Sequence, residues 1–247
     1  MVTKRPHFKR PHFSISCIII FMNILFGTSK KQDKQMRLLA GEEAMKNRAV
    51  FFSALKIDPA NITSGLLAHG KTVVLVNNKN LGQIISGTDA LVTNLTNACL
   101  TITIADCVPI FFIDKNHGAI GLAHAGWRGV LQNIVSEVTQ TMAREYLSNP
   151  AEIEVYIGPH LMSCHFEVKA DVESKFHEFA DAIIHHQEKT FIDLQSIIVK
   201  QLISAGLQNK NIHRTVECTF CNQDYFSYRR DKPEDVESQV AYIIKRD

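Results

Sequence analysis

The stretch from 101 to 130, TITIADCVPIFFIDKNHGAIGLAHAGWRGV, constrains this chain's fold more than any other. Ile102, Ile104 and the run Pro109 to Ile113 are rich in β-branched and aromatic residues. They predict a strand that reaches Asp106-Cys107 and continues past a proline break. Lys115 to Gly118 has turn composition, and Ala119 to Ala123 predicts a second strand ending at His124, so the two should form a hairpin. Gly126 and Gly129 free the backbone where a helix begins, because Val130, Leu131, Ile134, Val135, Val138 and Met142 recur at helical spacing. His124, Trp127 and Arg128 therefore sit at a strand-to-helix junction. Backbone donors and the positive end of the helix dipole make such junctions the usual place for ligands in α/β folds.

Elsewhere the pattern is mixed. A helix is expected from Gly41 through Leu55, with Glu42 and Glu43 in its first turn. Asp58-Pro59-Ala60-Asn61 breaks the chain, and His69-Gly70 leads into a strand over Thr72 to Val76. Short strands are expected at Gln83 to Ser86, Ala90 to Thr93, Glu152 to Ile157, Cys164 to Val168, Thr215 to Thr219 and Val240 to Ile244. Asp171 is placed to cap a helix with Phe176, Phe179, Ala180, Ile183 and Ile184 on one face, and Leu194 to Ala205 predicts another, closed by Gly206. Strands and helices do not alternate strictly. That favours an α/β sandwich with mixed sheets over a doubly wound nucleotide fold.

With 247 residues, 45% of them hydrophobic, the chain fits one large domain. Its net charge of +2 is local in origin: Lys4, Arg5, Lys9 and Arg10 lie in the first ten residues, which hold no acid, so 23 basic residues face 25 acidic ones elsewhere. A near-neutral body with no basic stripe argues against nucleic acid as a partner. The basic start followed by the apolar run Ile15 to Phe26 imitates a signal or anchor. Asn23 interrupts that run and no small-residue cleavage site follows, so no stable membrane insertion is expected. The reading adopted is a tail or over-extended start over residues 1–21, a domain over 22–247 beginning near Met22, and a first strand at Asn23 to Gly27. Six cysteines without regular spacing point to a reducing, cytoplasmic setting.

Three residues stand at strand ends beside small or turn-forming neighbours: His69, Cys107 and His124. One thiolate and two imidazoles suit zinc, and three protein ligands leave the fourth position open for chemistry. Their separations of 38 and 17 residues are unlike those of zinc fingers, and a buried cysteine with two satisfied core histidines fits the spacing as well. Cys218 and Cys221 form a C-x-x-C pair that lacks a second pair and a following helix, so it reads as structural. Arg229 and Arg230 beside Phe226 and Tyr228, and Arg128 beside Trp127, offer guanidinium groups for phosphate and aromatic faces for a base; a solvated salt-bridged turn and a core tryptophan are the plain alternatives. The common dinucleotide, P-loop, serine-hydrolase and zincin motifs are absent.

Taken together, ADC at 105–107, AHAGWRG at 123–129, IGP at 157–159 with CHFEV at 164–168, and CT…YFSYRRD over 218–231 resemble the laccase-domain family. The likeness runs from about Phe26 to Ile244. That family, long labelled polyphenol oxidase, is associated with purine nucleoside phosphorylase activity. The resemblance implies a single-domain α/β/β/α sandwich and a zinc held by His69, Cys107 and His124. It further implies phosphorolysis of adenosine, inosine, guanosine and S-methyl-5'-thioadenosine, with adenosine deamination as a second activity. Purine nucleosides and phosphate are thus the expected partners, with Arg128, Arg229 and Arg230 as phosphate ligands. Two positions depart from the family pattern. Where an arginine follows the first strand in relatives, Thr28 is followed here by Ser29, Lys30 and Lys31, so Lys30 is the nearest replacement. A glutamine is lost before His69-Gly70 while the histidine is kept.

Other readings use the same residues differently. Cys107 as a nucleophile with His124 as base would make a thiol hydrolase. A copper-dependent polyphenol oxidase would need about ten histidines in paired clusters, and only His185-His186 are adjacent here, although copper can occupy a zinc site adventitiously. A purine-binding module without turnover is the third.

Overall fold

The two apolar runs around Cys107 belong to different sheets. In the computed structural model, the backbone is described for residues 18–21 and 23–247, and the side chains for residues 23–247. The first sheet runs in the order β1 (Ile18–Phe21), β2 (Ile24–Thr28), β15 (Gln239–Lys245), β7 (Cys99–Ile104), β3 (Ile62–Leu66), β5 (Ile84–Ser86). The second runs β14 (Ile212–His213), β10 (Glu154–Ile157), β8 (Val108–Asp114), β9 (Ala119–Ala125), β6 (Ala90–Thr93), β4 (Val73–Leu75). Both mix parallel and antiparallel pairs: β3 lies parallel to β7 while β15 is antiparallel to it. A small third sheet joins β11 (Glu167–Val168), β13 (Lys189–Ile192) and β12 (Ile183–His186).

Side-chain alternation sorts the apolar residues into layers. Ile24 and Phe26 of β2, Leu100, Ile102 and Ile104 of β7, and Ala241 and Ile243 of β15 face Phe111, Ile113, Ile120 and Leu122 of the second sheet. The opposite face of the first sheet, with Leu25, Cys99, Val240, Tyr242 and Ile244, takes Phe51 and Phe52 of α1 (Glu42–Ala54). The opposite face of the second sheet, with Ile110, Phe112 and Ala123, takes Ile134, Val138 and Met142 of α3 (Ile134–Tyr146) and Ile197, Ile198 and Leu202 of α5 (Leu194–Ser204). Helix, sheet, sheet and helix layers make the α/β/β/α sandwich. Strands buried on both faces explain why the central runs read as continuous apolar stretches. A side chain at Gly121 would meet Phe112, Val138 and Met142, so this glycine sets how closely α3 approaches β9.

Several expected elements are corrected. The strand through 102–113 is two strands, and the break falls not at Pro109, which sits inside β8 opposite His124, but at Asp106, whose φ is +85°. The helix after His124 starts at α2 (Trp127–Leu131) and restarts as α3, because Asn133 takes a left-handed conformation with φ 58°. The helix expected after Asp171 is only α4 (Ala170–Glu173), followed by a 3-10 segment that kinks at Phe176 and Phe179; Ile183 and Ile184 lie in β12 instead. Within 215–219 only Cys218 pairs, in a lone bridge with His160. The sheet also begins before Met22: Ile18–Phe21 pairs with Ile24–Gly27 as a hairpin around Asn23, which divides the apolar run. Met22 and residues 1–17 lie outside the described residues, as does that part of the expected tail.

Phe112 is fully buried between β9 and α3. Phe112→Ala should therefore lower unfolding free energy by about 3–5 kcal/mol, the loss typical of a large aromatic removed from a core, measured by urea denaturation.

Candidate functional site

Cys107 stands where the chain crosses from the first sheet to the second, on the turn between β7 and β8. The left-handed conformation of Asp106 makes that turn tight, and its carboxylate fixes it. One oxygen accepts from Thr219 Oγ1 at 2.7 Å, the other from the backbone N–H of Arg229 at 2.7 Å. Its own carbonyl accepts from Leu161 N at 2.9 Å. The turn that carries Cys107 is thereby tied to Leu161, Thr219 and Arg229. Asp tolerates the left-handed region better than most residues, which accounts for the type at this position.

His69 ends the loop after β3, also at positive φ (60°). Asp89 holds that loop: its carboxylate accepts from the backbone N–H groups of Ala68 (3.2 Å), His69 (2.7 Å) and Gly70 (2.8 Å). Burial alone would raise the Asp89 carboxyl. The nearby His124 imidazole and the hydrogen bonds from these N–H groups outweigh it and hold Asp89 below its ordinary pKa. The same carboxylate lies 3.7 Å from Nδ1 of His124, near the end of β9, and both side chains are buried. Burial would lower His124, but the Cys107 sulfur and Asp89 overcome it and lift the imidazole to about 9. His69 shifts the other way: burial first, then His124, with Arg128 adding and Asp89 opposing, lower its pKa and favour the neutral ligand form.

The ligand atoms of His69, Cys107 and His124 lie within 4.8 Å of one another. The two imidazoles meet edge to face, with centroids 4.9 Å apart. A Cβ on Gly126 would fall 3.2 Å from Cys107 Sγ, 3.5 Å from His124 Cε1 and 3.7 Å from His69 Cδ2, so only glycine leaves the space between them open. His124 Nδ1 has no hydrogen-bond partner within 3.5 Å among the described residues. A soft ligand set, a cradle that glycine keeps clear and a carboxylate behind one histidine fit a metal ion. Exposure decreases from His69 to Cys107 to His124, and all three line a cavity of about 440 Å³.

That cavity is walled by Leu38, Leu39, Leu66, Leu67 and Tyr228, with Arg37 at its rim. Arg37 was not singled out from the sequence; it lies in a polar segment without periodicity. Among the described residues its guanidinium has no carboxylate partner. Buried Arg48 of α1 steadies this rim, donating to the Met36 carbonyl at 3.1 Å and to the hydroxyls of Ser64 and Thr101. Arg128 is exposed, stacks 4.2 Å over Trp127 and has no ion pair among the described residues, while its charge reaches His69. The other expected cations are engaged elsewhere and do not line the cavity. Lys30 Nζ pairs with Asp224 at 2.9 Å, and Ser29 is buried, bonded to the backbone of Val240. Arg229 donates to the carbonyls of His165 and Glu167, and Arg230 to those of Thr219, Phe220 and Tyr225 as well as to Asp231.

A second group of potential ligands also assembles. Cys164, His165, Cys218 and Cys221 bring their ligand atoms within 4.8 Å of one another, which corrects the isolated reading of the C-x-x-C pair.

Comparison with known proteins bears on the family and the fold. A family model described as multi-copper polyphenol oxidoreductase laccase matches residues 40–245. The chain belongs to this laccase-domain family. Among family members, a purine nucleoside phosphorylase of Clostridium acetobutylicum is 32% identical over 188 residues, covering 74% of this chain and 77% of the relative. One from Bacteroides thetaiotaomicron is 29% identical over 208 residues, covering 77% of each. The crystal structure of YlmD from Geobacillus stearothermophilus superposes with a TM-score of 0.86 at 25% identity, covering 92% of this chain and 93% of that one. Laccase-domain relatives thus share both the sandwich and, by name, a nucleoside phosphorylase activity. Among the described residues no helix is long and apolar enough to cross a membrane.

If Asp89 orients His124 and the His69 loop for a metal, Asp89→Ala should weaken zinc at the site that Cys107→Ser empties by about 10–100-fold, the usual effect of losing a carboxylate behind a histidine ligand. Competition against a zinc chelator measures it.

Proposed function

We propose that this laccase-domain protein is a cytoplasmic zinc-dependent purine nucleoside phosphorylase with adenosine deamination as a second activity. The observation that carries the reading is the convergence of His69, Cys107 and His124 at a cavity of about 440 Å³, large enough for a nucleoside, with a cation at its rim. Relatives named purine nucleoside phosphorylase favour purine nucleosides as substrates, and the family resemblance extends the expectation to adenosine, inosine, guanosine and S-methyl-5'-thioadenosine.

The three ligands would hold the zinc, which supplies a Lewis acid and an activated oxygen nucleophile at neutral pH. Tyr228 and the leucine wall offer aromatic and apolar surface to a purine ring. Arg37 and Arg128, both without an ion-pair partner among the described residues, are the groups best able to take phosphate; a guanidinium fork matches phosphate oxygens two at a time. Lys30 would give up its contact with Asp224 to serve, and Arg229 and Arg230 several main-chain bonds. These three we assign to holding loops in place. Asp89 keeps His124 oriented and His69 presented to the cavity. Copper would fit the same soft ligands, so metal analysis of protein from zinc- and copper-supplemented growth belongs with the assay.

Inosine with phosphate should yield hypoxanthine and ribose 1-phosphate, and omission of phosphate should abolish base release. Cys107→Ser should lower kcat/KM by about a thousandfold, the equivalent of about 4 kcal/mol. Base release that does not depend on phosphate, or that survives in zinc-free Cys107→Ser, would contradict the reading. Arg37→Ala should raise the KM for phosphate by about 10–100-fold, as expected for one charged hydrogen-bonding group, with zinc content unchanged.

A further inference from the structure

Two loops far apart in the chain meet behind Asp106. One carries Cys164 and His165, the other Cys218 and Cys221, and no step of the proposed reaction uses any of them. Cys164 Sγ lies 3.8 Å from Cys221 Sγ, and His165 Nδ1 lies 3.2 Å from Cys164 Sγ and 3.3 Å from Cys221 Sγ. A tetrahedral zinc with Zn–S of about 2.3 Å and Zn–N of about 2.0–2.1 Å separates neighbouring sulfurs by about 3.8 Å and sulfur from nitrogen by about 3.5 Å. The observed spacings are close to those values. We propose that Cys164, His165, Cys218 and Cys221 bind a second zinc ion, in a closed structural site separate from the one at His69, Cys107 and His124.

The surroundings of the cluster are those of a structural zinc site. The backbone N–H groups of Phe220 and Cys221, two and three residues past Cys218, turn onto its sulfur, and that of Met162 joins them from the other loop. Such donors offset thiolate charge, as the outer shell of a metal site does. The His165 ring is stacked on Phe220 with centroids 3.9 Å apart and planes 16° apart, which leaves Nδ1 aimed at the sulfurs. Four protein ligands fill the tetrahedron, so the ion would have no open position for substrate.

Its effect would reach the other site through the main chain. The guanidinium of Arg229 gathers the carbonyls of His165 and Glu167, and that of Arg230 the carbonyls of Thr219 and Phe220. The Thr219 hydroxyl and the Arg229 N–H are in turn the two donors that fix Asp106 beside Cys107. A zinc joining the two loops would hold them in the register those bonds require, as a cross-link between distant segments does in a small metal-bound module.

The full chain, purified without chelator, should hold two zinc ions per chain by native mass spectrometry and elemental analysis. Cys107→Ser and Cys221→Ser should each hold one, and the double variant none. Cobalt loaded into Cys107→Ser should show the d–d bands and intense near-ultraviolet charge transfer of a tetrahedral site with several thiolates, a signature readable even if Cys221→Ser fails to fold. Two zinc ions in folded Cys221→Ser would overturn the proposal. So would a thiolate-free cobalt spectrum in Cys107→Ser, or a Cys164–Cys221 disulfide in place of metal in protein purified under argon. Because the cobalt spectrum of Cys107→Ser reads only the second site, it fails or succeeds independently of the phosphorolysis assay.

Discussion

The structure turns on one crossing of the chain from sheet to sheet. Between β7 and β8 three residues, Ala105, Asp106 and Cys107, carry the backbone from the first layer to the second. A left-handed aspartate within the turn costs about 1–3 kcal/mol and persists only where its surroundings hold it. Here the hydrogen bonds from Thr219 and Arg229 do so, and both partners lie more than 100 residues further along the chain. The C-terminal third of the chain therefore does more than complete the sandwich. It sets the position of the cysteine that the other two ligands approach.

Asp89 plays the corresponding part on the opposite side. It follows a Gly-Thr turn, and one carboxylate serves two ligands, fixing the loop that carries His69 and standing behind the ring of His124. Because a single buried acid couples both histidines, their geometry is shared. Changing the loop at 68–70 would disturb His124 without touching it. The charge balance is local too: Asp89 and Cys107 favour a protonated His124, while burial and neighbouring positive charge disfavour one at His69.

Much of this was legible in the sequence. The hairpin around Lys115 to Gly118 and the helices near Glu42 and Leu194 follow from turn composition and apolar periodicity, and the mixed order of strands and helices points to an α/β sandwich; the resemblance of ADC, HAGWRG and FSYRRD to a known family implied its four layers and identified three residues that the fold does bring together. What escaped was set by tertiary contacts. Nothing local distinguishes a strand broken at a proline from two strands in separate sheets, and the true break lies at a residue whose conformation is held by distant partners. Asp89 stands in a Gly-Thr-Asp stretch with turn composition that gives no local sign of a role. Arg37 has no pattern around it, and Lys30 has the right charge but a nearer carboxylate in Asp224. The C-x-x-C pair seemed isolated because its partners, 57 residues away in the case of Cys164 and Cys221, are brought to it only by folding.

The central claim is that the crossing at Asp106 delivers Cys107 to a metal shared with His69 and His124, and that this metal serves the reaction. A zinc-edge anomalous difference map from crystals of active, unchelated protein tests it most directly. The account predicts a strong peak within bonding distance of His69, Cys107 and His124 at the floor of the cavity. No peak among those three side chains, in protein that still phosphorolyses inosine, would contradict it.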